Sequence, residues 1–342
     1  MLVVRAVRES DLPGLMDLAA KTGTGLTTLP AHEPSLLEKI HASQEAFSAE
    51  TFSEKKLTYL FVLEDTETGT IAGTSAIISG VGYDRPFYSY RLLHITQVSH
   101  EPEMRVDTEL LQLSNDFVGA TEVATLFLAP EYRRDNLGKL LSKARYMFMA
   151  CHPERFSERV ISEIRGWVRK DQSSPFWEAI GRHFFGVSFA EADEINGRGN
   201  SQFIADMMPK FPIYTALLPS SAQKVIGRPH DNAKPAIHML ESEGFRFSGA
   251  VDIFDAGPAM EVSRDNIRTV RTSSEATLGG TVDGAGHDFA HLACNQELAG
   301  FKAILTDAVD TASGLWIPKG SAELLDIQAG DAVRTAPLLA DT

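Results

Sequence analysis

"LFLAPEYRRDNLGKLL" occupies residues 126–141. A short apolar run, Leu126-Phe127-Leu128, enters a turn at Pro130. Arg133 and Arg134 then lead into Asn136-Leu137-Gly138 and a new apolar pattern. The pattern predicts a strand near 122–128 handed to a helix by a small cationic loop. Beyond Gly138, Leu140, Leu141, Ala144, Met147, Phe148 and Cys151 fall on one helical face, with Ser142, Lys143 and Arg145 off it. A helix N-terminus presents unpaired N–H groups and about half a positive charge. Gly138 would let a ligand approach the backbone there, and the arginines would add charge-assisted hydrogen bonds. The junction therefore has the parts of a pyrophosphate cradle. It equally has the parts of an ordinary helix entry with solvated arginines, and the residues alone leave the two readings even.

The charge balance sharpens the choice. The chain has 342 residues and a net charge of -14. At that balance no basic face for nucleic acid is evident, and a polyanionic ligand needs a local cationic site. Arg133, Arg134, Lys139, Lys143 and Arg145 stand against one acid, Asp135, and make a basic island in an acidic protein. Apolar residues are 43% of the chain and charged residues 23%, which fits a folded protein of about two domains. No apolar run reaches the roughly 18 residues of a membrane span. "MLVVRAVRESDLP" does not read as a secretory leader. Two cysteines, Cys151 and Cys294, argue against a disulfide framework, so a cytoplasmic protein is expected.

Outward from the junction, residues 2–7 predict a first strand and "ESDLPGLMDLAAKTG" a helix. Asp11 could cap that helix, and Pro13 is tolerated in its first turn. Residues 32–52 predict a second helix, 59–79 a hairpin, 88–100 a strand and 159–168 a core strand. Residues 174–185 and 233–245 predict helices, and 250–262 a strand and turn. From about 265 the chain is short β-like runs between Gly, Asp and Thr. The order predicts an α+β fold around a mixed sheet flanked by helices, with 1–262 as the main region and 263–342 as a small β-rich appendage.

Several motifs can be weighed directly. A nucleoside-triphosphate loop needs G-x-x-x-x-G-K-[ST], and here Leu140 follows Lys139 with no Gly five positions before Gly138. A dinucleotide G-x-G-x-x-G is absent too. His287-Asp288-Phe289-Ala290-His291 has the spacing of a zinc helix but lacks its Glu and a third ligand, so surface histidines are expected and no metal. Cys151 lies on an apolar helix face and reads as a core thiol. Asp252 and Asp255 could meet a guanidinium, but strand-end and turn roles are the more ordinary reading.

Family resemblance then moves the balance at the junction. "YRRDNLGKLLSKARYMFM" resembles the pyrophosphate motif R/Q-x-x-G-x-G/A of the Gcn5-related acyl-CoA N-acyltransferases. Arg133 takes its first position and Gly138 its last. Asn136 replaces the first Gly, a departure Asn tolerates because it enters left-handed conformations readily. "VVRAVRESDLPGLMDLA" and "AIHMLESEGF" resemble that superfamily's opening strand-helix and its late helix. Helices ending in "GRHFF" and "EGF" suggest tandem half-folds. A narrower match runs along nearly the whole chain. "KTGTGLTTLPAHE", "VLEDTETGTIAG", "LFLAPEYRRDNLGKLLSKARYMFMA", "SPFWEAIGRHFF", "MPKFPIYT", "VIGRPHD" and "VDIFDAGP" together resemble the arginine N-succinyltransferases, which include arginine/ornithine succinyltransferase subunits.

That resemblance implies transfer of succinyl from succinyl-CoA to the α-amine of L-arginine, with no permanently bound cofactor. L-ornithine is the alternative acceptor. It implies that Arg133, Arg134, Asn136, Gly138 and Lys139 hold the pyrophosphate and that Leu126 marks the thioester end. Many of these acyltransferases protonate the leaving thiolate from the Tyr of A-x-x-L-Y, but Leu240 stands at that position here. His230 in "IGRPHD" matches the family's proton donor instead. "TGTGLTTLP" lies where the superfamily closes over its acceptor. A homo-oligomer, or a hetero-oligomer with a related subunit, is expected, with no membrane or nucleic-acid partner. A mainly structural subunit is the rival to an active enzyme.

Overall fold

A computed structural model describes residues 1–22, 28–49, 55–197, 207–283 and 290–338. Strands β1 (Leu2–Ala6), β2 (Leu57–Asp65), β3 (Thr70–Ser79) and β6 (Thr121–Leu128) form an antiparallel run. Beyond it come β7 (Arg159–Glu163), β10 (Pro258–Ser263), β9 (Arg246–Asp252), β4 (Ser89–His100), β5 (Glu103–Ser114) and β8 (Ile213–Tyr214). On the other side β13 (Lys302–Thr306) pairs with β1, and β12 (His291–Cys294), β16 (Ala332–Pro337), β11 (Ser274–Val282), β15 (Gly314–Pro318) and β14 (Val309–Thr311) follow. The result is the expected α+β class built on one mixed sheet of 16 strands among the described residues. The C-terminal strands continue this sheet through β13.

Helices α1 (Leu12–Thr22) and α2 (Glu33–Ser48) cover one face. Their Leu15, Leu18, Leu36 and Ile40 pack on Leu60, Val62 and Ala76. Asp11 does not cap α1 as its position predicts. It closes a short 3-10 turn, accepts the Arg8 N–H at 2.8 Å and pairs with buried Arg5 at 2.7 Å. A buried guanidinium claims the carboxylate more strongly than a helix end does.

Helix α3 (Leu137–Cys151) packs on the opposite face and departs from the one-sided pattern its sequence predicts. It is buried on nearly every side, because Glu243, Phe245 and the helix at Arg268–Thr272 cover what the sheet leaves open. Lys143 and Arg145 are therefore interior. Lys143 meets Glu243 at 2.9 Å, and Arg145 donates to Ser142 and to the Ala124 carbonyl. The basic island thus shrinks to Arg133, Arg134 and Lys139. Replacing Lys143 with Ala leaves Glu243, which is 1% exposed, with the Thr269 N–H and a distant Arg268 at 3.8 Å, and is expected to cost about 3 kcal/mol. Urea unfolding of the variant checks this.

The single helix expected over 174–185 is two, α4 (Pro175–Ala179) and α5 (Gly181–Phe185), broken at Ile180. The ring of Trp177 occupies the space beside Gly181. Strand β7 ends at Glu163 rather than 168, since the chain beyond it takes a loop as partner. Helices α6 (Phe189–Gly197), α7 (Ser220–Gln223), α8 (Lys234–Ser242), α9 (Arg268–Thr272) and α10 (Lys319–Leu325) complete the described helices. None of the described helices is long and apolar enough to cross a membrane.

Candidate active site

Strands β6 and β7 are parallel neighbours only at Thr121–Val160 and Glu122–Ile161. Beyond that pair they part. β6 stays with β3 as far as Leu128, and β7 stays with β10 as far as Glu163. A bulge bends β6 away, with Thr125 and Leu126 together opposing Ser75 and Thr125 left-handed at φ 55°. Ser162 bridges the first step of the gap by donating to the Val123 carbonyl at 3.0 Å. Leu126 thus lies where the β3 ladder is interrupted and β7 has already departed.

The loop after β6 is held by its own residues. Arg133 donates to the Leu128 carbonyl at 3.0 Å and lies over the Phe127 ring. Asp135 and Asn136 are both left-handed, φ 51° and 60°, and Asn136 caps α3 without a side-chain hydrogen bond. Asn136 fits the departure its position in the motif requires. Among the described residues, the N–H groups of Gly138 and Lys139 find no acceptor. Gly138 has no conformational need to be glycine, since a Cβ there would meet only Leu128 at 3.9 Å. Arg134 is exposed beside Asp135, and Lys139 is half-buried. Five of the sequence-predicted residues, Arg133, Arg134, Asn136, Gly138 and Lys139, therefore gather around one open helix N-terminus.

His230 arrives from another part of the chain. Its N–H donates to the Arg165 carbonyl at 2.8 Å, Trp167 donates to the Arg228 carbonyl, and Pro229 bridges Gly166. The 228–230 segment thus takes the edge that β7 leaves open. Asp255 accepts the N–H groups of Gly166 and Gly257 and fixes this junction. A Cβ at Gly257 would fall 1.9 Å from the Ile164 carbonyl, so only glycine fits there. The His230 Nδ1 accepts the Asn232 N–H at 3.1 Å, which puts the ring proton on Nε2. Burial and the Arg165 charge hold the imidazole below its ordinary pKa. Leu126 and His230 therefore stand at the diverging ends of the two parallel strands.

On the α1–α2 side of the sheet the gap opens into a cavity of about 740 Å³. Glu122, Glu163, Asp252, Lys39 and Lys56 are among its lining residues. Sequence reasoning missed Glu122 and Glu163 because both sit inside core strands; an acid in the middle of an apolar run was the available signal. Burial pushes Glu122 up to about 7, against the pull of Lys56 and Lys39. Burial and the neighbouring carboxylates push Glu163 well above the carboxylate range. A carboxyl raised in this way stabilises the fold at low pH, and that contribution is lost as pH rises through its folded pKa. The melting temperature of Glu122→Gln is therefore expected to fall less between pH 5 and 8 than that of the unsubstituted protein. Thermal scans across that range read this directly.

Of the remaining sequence candidates, Cys151 is a half-buried thiol 3.8 Å from the buried Cys294 sulfur. His287 and Asp288 lie outside the described residues, as do 23–27 of "TGTGLTTLP".

Comparison with known proteins agrees with this geometry. The family model for the arginine N-succinyltransferase beta subunit matches residues 2–269, and that for its C-terminal domain matches 274–337. An arginine N-succinyltransferase of Enterobacter sp. (strain 638) is 41% identical over 338 residues, 99% of this chain and 98% of that one. One from Escherichia coli O17:K52:H18 is 40% identical over 341 residues, 100% and 99% of the two chains. The solved arginine/ornithine succinyltransferase subunit AI from Pseudomonas aeruginosa superposes with a TM-score of 0.90 at 32% identity, covering 99% of both chains. With a splayed strand pair, an open helix N-terminus beside it and full-length relatives of this kind, the chain belongs to the arginine N-succinyltransferase family.

Proposed function

We propose that the protein transfers succinyl from succinyl-CoA to the α-amine of L-arginine, giving N2-succinyl-L-arginine and CoA. The observation that carries the reading is the parting of β6 and β7 beside an α3 N-terminus with free N–H groups. The full-length relatives supply the acyl group and the acceptor.

In this reading the pyrophosphate sits on the Gly138 and Lys139 N–H groups, where the helix dipole and Lys139 and Arg134 add positive charge. Arg133 braces the loop by its bond to Leu128. The thioester lies between the strands at Leu126, whose backbone, freed by the bulge, hydrogen-bonds the carbonyl oxygen as charge develops on it. The neutral amine attacks the thioester carbon, forming C–N and, on collapse, breaking C–S. One proton leaves the amine nitrogen and one arrives at the CoA sulfur. His230, with its proton on Nε2, gives that proton to sulfur and recovers one from the amine. Direct attack needs no acyl-cysteine, so Cys151 is left with a packing role beside Cys294.

The site residues all fall within 1–262, to which we assign catalysis, leaving the C-terminal strands to brace α3. We place the protein in the cytoplasm, where succinyl-CoA is made and thiols stay reduced. The Pseudomonas subunit's description keeps a second reading in view, a hetero-oligomer with a related chain and an ornithine preference. The test is purified protein alone with succinyl-CoA and either arginine or ornithine, followed by free-thiol release. Faster release with arginine supports the first reading. Release only after a related chain is added supports the second.

A further inference from the structure

The mechanism above leaves one part of the site unused, the carboxylate floor of the cavity. Glu122 is 7% exposed and lines the cavity, yet its side chain has no hydrogen bond or ion pair among the described residues. The two lysines whose charge reaches it are engaged elsewhere. Lys39 donates to the Thr28 carbonyl at 2.7 Å, and Lys56 meets Asp84 at 3.1 Å. Glu163 carries a buried Oε1 without a partner. It shares a sheet face with Glu122, because Glu122 is in register with Ile161, two residues before Glu163. Asp252, at the end of β9, completes the wall; its Oδ1 accepts the Phe254 and Asp255 N–H groups.

A buried carboxylate without a partner is costly, so it takes up a proton or meets a cation, and a cavity beside two of them gives a cation room to bind. A metal ion is the wrong occupant, since no group of three ligating side chains among the described residues is arranged to hold one. Reach decides between organic cations. Leu126 and Glu122 are four residues apart on one strand, a span of roughly 13 Å at the ordinary rise. With the acceptor amine at the Leu126 thioester, the Glu122 side chain and the acceptor's own chain share that span. A planar, always-charged guanidinium on a long side chain gives the acceptor the longer part of that reach and can engage two carboxylates through its fork of donors.

We infer that the cavity between β6, β7 and α2 is the acceptor subsite, in which Glu122 and Glu163 bind the guanidinium of the acceptor while its α-amine meets the thioester at Leu126. This rests on the acyl-transfer reading for the position of the amine, but the cation subsite can be tested without turnover.

The experiment is calorimetric titration of the full chain, saturated with coenzyme A, with arginine and with citrulline, whose neutral urea replaces the guanidinium. Arginine is expected to bind at least about tenfold more tightly than citrulline, the worth of a charge-assisted hydrogen bond. Glu122→Gln is expected to weaken arginine by a similar factor while coenzyme A affinity stays within about twofold. Glu163→Gln gives the same readout should Glu122→Gln fold poorly. Equal binding of arginine and citrulline, or unchanged arginine affinity in the variants, overturns the assignment. Thiol release with arginine alongside that negative result leaves the acyl-transfer reading standing. Glu122-dependent binding without thiol release leaves the subsite standing and removes the acyl-transfer reading.

Discussion

Replacing His230 with Ala is expected to lower kcat by about 10²–10⁴-fold, the usual worth of a positioned acid–base group. KM for succinyl-CoA and for arginine should change little, because His230 belongs neither to the pyrophosphate loop nor to the acidic cavity. The expectation rests on placement. The His230 N–H is bonded to Arg165 beside the departing end of β7, and Nδ1 is engaged by Asn232, so Nε2–H is the free donor. Steady-state thiol release at saturating substrates reads the loss. Turnover within a few-fold of the unsubstituted protein would sink the assignment. A KM rise without a fall in kcat would instead make His230 a binding residue.

The second large effect is expected at Gly138, where stability and activity should move in opposite directions. A Cβ there meets only Leu128 at 3.9 Å, so Gly138→Ala fits the fold. It should stabilise α3 by about 0.5–1 kcal/mol through helix propensity. The same methyl stands where the pyrophosphate must approach the Gly138 and Lys139 N–H groups. KM for succinyl-CoA is therefore expected to rise about tenfold or more, with kcat at saturation nearly kept. A melting temperature that rises together with an unchanged KM for succinyl-CoA would show that the phosphates bind elsewhere.

Much of this could be read in the sequence because it depends on local chemistry. The strand-to-helix junction at 126–141 is visible in its apolar periods, and Asn136 marks its left-handed turn. The β2–β3 hairpin is legible for the same reason. Other features depend on distant partners. Lys143 and Arg145 look solvated along the helix and become interior only once Glu243 meets the one and the Ala124 carbonyl of β6 meets the other. Asp11 looks like a cap until Arg5 claims it. Strand β5 escaped the reading, since its outer half is exposed and carries few apolar residues to pattern it.

The site divides in the same way. The loop proposed to hold CoA is contiguous, so its residues announce themselves by spacing. The cavity is assembled from β6, β7, β9 and α2, and no motif spans those segments. His230 is proposed only through resemblance, because a histidine in a Pro-containing loop has no local signature. The parting of β6 and β7, which brings Leu126 and His230 to one gap, is a property of pairing that no single stretch reveals.

The central claim is that this chain, by itself, joins a succinyl-CoA site to an arginine site. The most direct measurement follows free thiol and product mass when the purified protein meets succinyl-CoA and arginine. The account predicts thiol release in step with one succinyl group added to the α-amine of arginine. No thiol release with arginine or ornithine would contradict it.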